Sequence, residues 1–388
     1  MREKDVDKAG NAGSIIPLAA VQLGEEEIAG AVAVMRSGHL RAGARCAEFE
    51  SRFAEWVGAR FAVSVSNGTA ALHIAALAAI HPGDEVLVPA FTFIASATSI
   101  ALAGGRPVLV DIDPDTFNMD PADARRRLTQ RTRAILPVHL FGNAADVSAI
   151  QALAREHNLR VIWDAAQAHG TRYDGRDVGS LDDLVCYSFY PTKNMTTGEG
   201  GMITTNSPEL YERCQLLKSH CQARKYFHTD VGLNYRLTDI AAAIGLAQLQ
   251  RVDGMIARRR ANAAFLNREL ASLPGLTLPK VQERSEHSYN QYTIQVDEAI
   301  VGISRDEFSR RLRATGVETG VHYPRALHHQ PALAVFGPFT GLENSERAAQ
   351  RVLSLPVHPG LSDADLTAIA TAVRSAAEST GLRRDEGR

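Results

Sequence analysis

Short runs of apolar residues alternate with amphipathic stretches through the first half of the chain. Seven runs read as buried strands: FAVSVSN (61–67), DEVLVPA (84–90), RPVLVDID (106–113), RAILPVHL (133–140), LRVIWDAA (159–166), LVCYSFY (184–190) and GGMITTN (200–206). Between several of them lie stretches with apolar residues at helical spacing, such as TAALHIAALAAI and DVSAIQALAREHN. Strand–helix alternation of this kind predicts an α/β fold with a mostly parallel central sheet covered by helices. In such sheets ligands bind beyond the carboxyl ends of the strands.

The second half reads differently. A long helical stretch over 237–273 predicts one helix with a bend near Gly254, and LPGLTLPK after it is a punctuated connection. Then come a strand in YNQYTIQV, a helix opened by Ser304, a loop around VHYPRALHHQPA, and a last helix from Asp363. The pattern predicts a flexible tail over 1–13, a large domain over 14–255 and a smaller C-terminal α+β domain over 256–388, with the boundary inside the long helix.

Composition narrows the class. Hydrophobic residues make up 45% and charged residues 22%, with a formal net charge of -2, the balance of a soluble globular protein. No basic stripe suggests nucleic acid as a partner, and no apolar run reaches the roughly 18 residues of a membrane helix. The start, MREKDVDKAGNAGS, lacks the apolar core of a signal peptide. Cys46, Cys186, Cys214 and Cys221 have neither CxxC spacing nor a paired histidine pattern, so free thiols in a reducing cytoplasm and no metal are expected.

Candidate chemistry gathers where predicted strands end. SNGTAAL places Gly68 and Thr69 at the start of a helix, whose free N–H groups and dipole suit a phosphate, although the same residues also read as a plain turn and cap. Asp164 follows three apolar strand residues. It is either a helix cap or a buried acid that partners a protonated ring nitrogen. His169 reads as a packed, hydrogen-bonded histidine. In SFYPTKNMTTGEGG, Ser188 can give a phosphate a second hydroxyl, and Lys193 stands alone in a loop. Phe93 follows another strand and either fills the core or stacks on a flat ring. A phosphate cradle, an acid for a pyridinium nitrogen and an amine for a Schiff base are together the needs of pyridoxal 5'-phosphate, PLP.

With these residues the chain resembles the DegT/StrS-type nucleotide-sugar aminotransferases, a branch of the fold-type I PLP enzymes. The resemblance runs from PLAAVQLGEEEI (17–28) to LSLPVHPGLSDAD (353–365) through SNGTAAL, VPAFTFIA, PVHLFGN, DAAQAHG, SFYPTKNMTTGEGG, GLNYRLTDIAAAIGLAQL, VHYPRALHHQPA and LPVHPGL. It implies that Lys193 carries the cofactor, that Asp164 holds the pyridine nitrogen protonated, and that Gln167 bonds the ring hydroxyl. It further implies that Gly68, Thr69 and Ser188 bind the phosphate, that Phe93 stacks on the ring, and that Asn234 reaches the phosphate of a neighbouring subunit in a homodimer. His322, Tyr323 and His329 match a region lining the substrate pocket. Two departures stand out. Trp163 replaces the family's usual glutamate, though on the opposite sheet face from Asp164. Cys221 stands where a glycine is common, which affects the path of that loop.

The resemblance implies ping-pong transamination in the cytoplasm, with an amino acid (L-glutamate by family habit) as donor and a keto-sugar on a nucleoside diphosphate as acceptor. The TTGEGG ending is similar to enzymes acting at C4 of 4-keto-6-deoxy sugars. Alternatives are a C3 keto-sugar, a cyclitol ketone (inosose), or a non-catalytic PLP-fold sensor. Substrate choice is expected in loops 38–43, 222–230 and 322–330.

Overall fold

All seven apolar runs form strands in the computed structural model, which describes residues 15–378. They are β1 (Phe61–Val65), β2 (Glu85–Pro89), β3 (Arg106–Val110), β4 (Thr132–Ile135), β5 (Arg160–Asp164), β6 (Leu184–Ser188) and β7 (Gly201–Thr205). They join in one sheet of order β1-β7-β6-β5-β4-β2-β3. Every pair is parallel except those that β7 makes with β1 and β6.

Helices bury both faces. On one face lies α3 (Gly68–Ala79), hydrophobic almost all round and buried from Ala70 to Ala76. The other face is covered by α2 (Ala44–Val57) through Phe49, Phe53 and Val57, and by α5 (Val147–His157) through Val147, Ile150 and Leu153. Along β5 the side chains alternate: Val161 and Trp163 join the second core, Ile162 the first. Asp164 therefore points to the same face as Ile162, and Trp163 away from it. Between these helices α1 (Glu25–Ser37) precedes α2, and α4 (Ala95–Leu102) follows β2.

Helix starts carry the caps the sequence supplies. Asn67, Asp146 and Ser304 each accept a hydrogen bond from a backbone N–H in the first turn of α3, α5 and α7 (Arg305–Ala314). Thr238 does the same for α6, which runs without interruption from Asp239 to Leu270. The bend expected near Gly254 does not break it, because both halves hold fixed packing partners. Ala242, Val252 and Ile256 pack in the large core, whereas Ala263, Leu266 and Leu270 pack in a separate one. That second core lies under a three-stranded antiparallel sheet of β8 (Leu276–Thr277), β9 (Tyr292–Val296) and β10 (Val352–Leu355). Phe308 and Leu312 of α7 and Ile369 and Val373 of α9 (Asp363–Glu378) complete it. The helix α8 (Glu343–Arg351) leads into β10. Among the described residues no helix is long and apolar enough to cross a membrane.

Candidate active site

The antiparallel strand β7 explains why the loop before it sits at the functional edge. β6 ends at Ser188 and β7 starts at Gly201, which pairs with Ser188 on one side and Val65 on the other. Loop 189–200 must therefore stand above the carboxyl ends of β1, β5 and β6. The backbone is crowded at this point. A Cβ on Gly201 would lie 2.4 Å from the Asn67 carbonyl oxygen, and one on Gly68 would lie 2.7 Å from Ser188 Cβ. Glycine is needed at both places, and the turn at 66–69 is thereby held against Ser188. The Asn67 side chain takes the Ala70 N–H, and the helix start at Gly68 and the exposed Thr69 faces outward.

Asp164 ends β5 beside Cys186 of β6 and is 4% exposed. Its Oδ2 accepts from the Ser96 hydroxyl at 2.8 Å and its Oδ1 from the Ala166 N–H at 3.0 Å. Burial pushes this carboxyl above its ordinary range, while the Ala166 N–H, Ser96 and the charge of Lys193 pull against the rise. Ser96 is itself placed by Thr92, whose hydroxyl lies 3.1 Å away, so the turn after β2 orients the acid. Nothing in the spacing of the chain marks Ser96, which lies 68 residues from Asp164.

Lys193 is half-buried above this edge. Burial pulls its ammonium down to about 8, with the nearby Asp164 charge raising it in part. A lysine tuned this way is half neutral near pH 8 and can act as a nucleophile or base. Two histidines of the site stay neutral. His169 is fully buried against Tyr187 and Phe189, with ring centroids 5.1 and 5.6 Å away, and burial holds it neutral by lowering it to about 3. His322 is lowered to about 4 by burial and then by Lys193.

The remaining expected residues fall into two sets. Gln167 is buried and held from both ends: its Oε1 accepts from the Phe141 N–H at 2.7 Å and its Nε2 donates to the Tyr323 hydroxyl at 3.2 Å. The Tyr323 ring lies 6.0 Å from that of Phe93, which is 54% exposed at the mouth of the site. Burial and then the Asp164 charge push the Tyr323 phenol up. His322 meets Ser354 of β10 at 3.4 Å, tying this loop to the second core. Lys193, Asp164, Gln167, Phe93, His322 and Tyr323 thus belong to one cluster, next to Gly68 and Ser188. Asn234 is exposed on a bridge to Ser219, and His329 is exposed and turned toward Glu346.

Both departures have a local account. Trp163 stacks on the buried His139 ring (5.3 Å, 5° between planes) and donates to the Asp182 carbonyl. Cys221 is buried with φ +46, and its amide lies 2.2 Å from where a Cβ on Gly232 would stand. This left-handed backbone is one that glycine adopts freely. A cleft of about 1270 Å3, lined by Trp56, Arg172 and Asp177 among others, opens near Gly58, Ser180 and Asn206, at the opposite end of the strands.

The chain is similar to known proteins over most of its length. Residues 21–374 match the DegT/DnrJ/EryC1/StrS aminotransferase family. A "Pleiotropic regulatory protein" of Geobacillus stearothermophilus is 43% identical over 335 residues, 85% of this chain and 88% of its own. The GDP-perosamine synthase of Caulobacter vibrioides is 43% identical over 331 residues, 84% of this chain and 88% of its own. The crystal structure of S. venezuelae DesV in complex with a ketimine intermediate superposes with a TM-score of 0.87 at 38% identity, covering 91% of this chain and 94% of DesV.

Proposed function

Because the chain belongs to the DegT/DnrJ/EryC1/StrS aminotransferase family, and so is a PLP-dependent transaminase of fold type I, we propose that it moves an amino group from L-glutamate to a keto-sugar carried on a nucleoside diphosphate. The observation that carries this reading is the electrostatic pairing of half-buried Lys193 with the buried Asp164 carboxylate, at the strand ends where Gly68 packs against Ser188.

The residues fit the cofactor. Gly68, Thr69 and Ser188 would hold its phosphate at an open helix start, Asp164 its ring nitrogen, Gln167 its ring hydroxyl, and Phe93 one ring face. Bound there, PLP supplies an electron sink for the carbanion formed on the amino acid. Lys193 Nζ would anchor the cofactor and, once freed by the donor amine, take the proton from the donor Cα and return it on the acceptor side. The neutral His169 and His322 add no positive charge that would lower the amine further. Asp164, ionised against a cationic ring, gains the partner that its burial requires.

A missing Cβ supports the phosphate role. Gly68→Ala is expected to cost about 1–3 kcal/mol through the clash with Ser188 and to weaken PLP retention at least tenfold. Thermal melting and equilibrium dialysis check this; unchanged retention contradicts a phosphate at this turn.

The TTGEGG segment supports an acceptor keto group at C4 of a 6-deoxy sugar. A dimer is part of the reading, with Asn234 of one copy reaching the other copy's phosphate site. The exposed Tyr226 (83%) and Val231 (87%) near Asn234 support a covered surface there. The test is turnover of the holoenzyme with L-glutamate and a panel of nucleotide-linked keto-sugars. Amination of a 4-keto-6-deoxy sugar is expected. Turnover restricted to a 3-keto-sugar or to a free cyclitol ketone would overturn the assignment.

A further inference from the structure

A second constellation lies where a one-turn helix meets α8. His328 and His329 are successive residues of the turn Leu327–His329, and Glu346 is in the first turn of α8. The Nε2 atoms of both imidazoles point at one carboxylate oxygen: His328 at 2.9 Å and His329 at 3.3 Å from Glu346 Oε1. One ligand atom from each of the three residues lies within 4.8 Å of the others. Bonds of about 2.0–2.2 Å to a tetrahedral ion put neighbouring ligand atoms about 3–3.5 Å apart. The imidazole–carboxylate distances already lie near that range.

We propose that His328, His329 and Glu346 bind a divalent cation of the zinc class, with water completing the coordination. Two imidazoles and a carboxylate are the donors such ions prefer over the all-oxygen sets of calcium or magnesium. The His328 side chain is 8% exposed, whereas those of His329 and Glu346 are 55% and 45% exposed, so one wall is formed by the protein and the other side is open for entry. The two elements that supply the ligands are separately anchored. The Leu327 N–H donates to the Ala90 carbonyl just after β2 at 2.7 Å. The Asn344 and Ser345 N–H groups donate to Asp111 just after β3, at 3.0 and 2.8 Å. Neighbouring strand ends thus hold the ligands in place before any ion arrives. Ala90 leads to Phe93, and the turn follows Tyr323, so an ion here clips together two segments that border the cofactor cluster. The proposal gives His329, which the sequence reading places in the substrate pocket, a different role, and it departs from the expectation of no metal.

The test is titration of tag-free, metal-stripped holoenzyme with Co2+, read by its visible absorption, with Zn2+ as competitor. One equivalent per chain is expected, displaced by Zn2+. Glu346→Gln and His329→Gln, both at exposed positions, should each weaken binding at least tenfold without shifting the melting temperature of the metal-free protein. No stoichiometric cobalt spectrum overturns the proposal, and so does a spectrum of equal affinity in the Glu346→Gln protein.

Discussion

Lys193→Ala is expected to lower the rate of amino transfer by at least about 10^4-fold, since in the proposed mechanism Lys193 is both the nucleophile that anchors the cofactor and the base that moves the proton. The variant should still fold, because Lys193 stands in a loop and no core packing depends on it. Single-turnover mixing with L-glutamate, read by the absorbance of the bound cofactor, checks it. A change that proceeds at the wild-type rate would remove Lys193 from the mechanism. The lowered pKa gives this prediction a pH signature. Capture of PLP by the apoprotein needs the neutral amine, so its rate should rise with pH to a half-maximum near 8, not near the ordinary lysine value of 10.5.

Asp164→Asn is expected to reduce turnover by about 10^2- to 10^4-fold, the range for losing one positioned ionisable group. Its effect on stability should have the opposite sign. An acid whose pKa is raised on folding contributes stability below its unfolded value of 3.8, and that contribution is lost as pH rises through the folded value. At neutral pH the apoprotein therefore bears the cost of a buried carboxylate with no ring cation beside it. Asparagine can still accept from the Ala166 N–H through Oδ1 and can donate through Nδ2 to the Ser96 hydroxyl oxygen, without the charge. The apo variant should melt higher than wild-type apoprotein near neutral pH, and the difference should shrink as pH falls. Removing the Asp164 charge also removes what raises Lys193, so the half-maximum for PLP capture should move below the wild-type one. A variant that melts lower at neutral pH would contradict the assignment of Asp164 as a strained acid held for its partner.

Much of this site was legible in the chain because its parts are local. Each strand run ends at a chemically distinctive residue, and period-two alternation alone sets Asp164 and Trp163 on opposite faces. Asn67, Asp146 and Ser304 announce their helices by the caps they supply. What was not legible depends on pairings between distant segments. The reversal of β7, which lifts Lys193 over the other strand ends, follows from hydrogen bonds to β1 and β6 and leaves no trace in its own composition. Ser96 beneath Asp164, and Tyr323 against Gln167 from 156 residues away, are likewise contacts that only the fold creates. The approach of His329 to Glu346 of α8 is another such contact. Gly254 shows the converse. A residue of low helix propensity sits inside α6 without interrupting it, with both halves packed in cores.

The chain has only six lysines: Lys4, Lys8, Lys193, Lys218, Lys225 and Lys280. Lys218 is already tied to Glu50 at 2.8 Å and Lys280 to Asp115 at 2.5 Å. Borohydride reduction of the holoenzyme, followed by digestion and peptide mass mapping, therefore gives an unambiguous answer. The cofactor mass should appear, one per chain, on the peptide that contains Lys193. Its appearance on any other lysine, or on none, would contradict the account of this site.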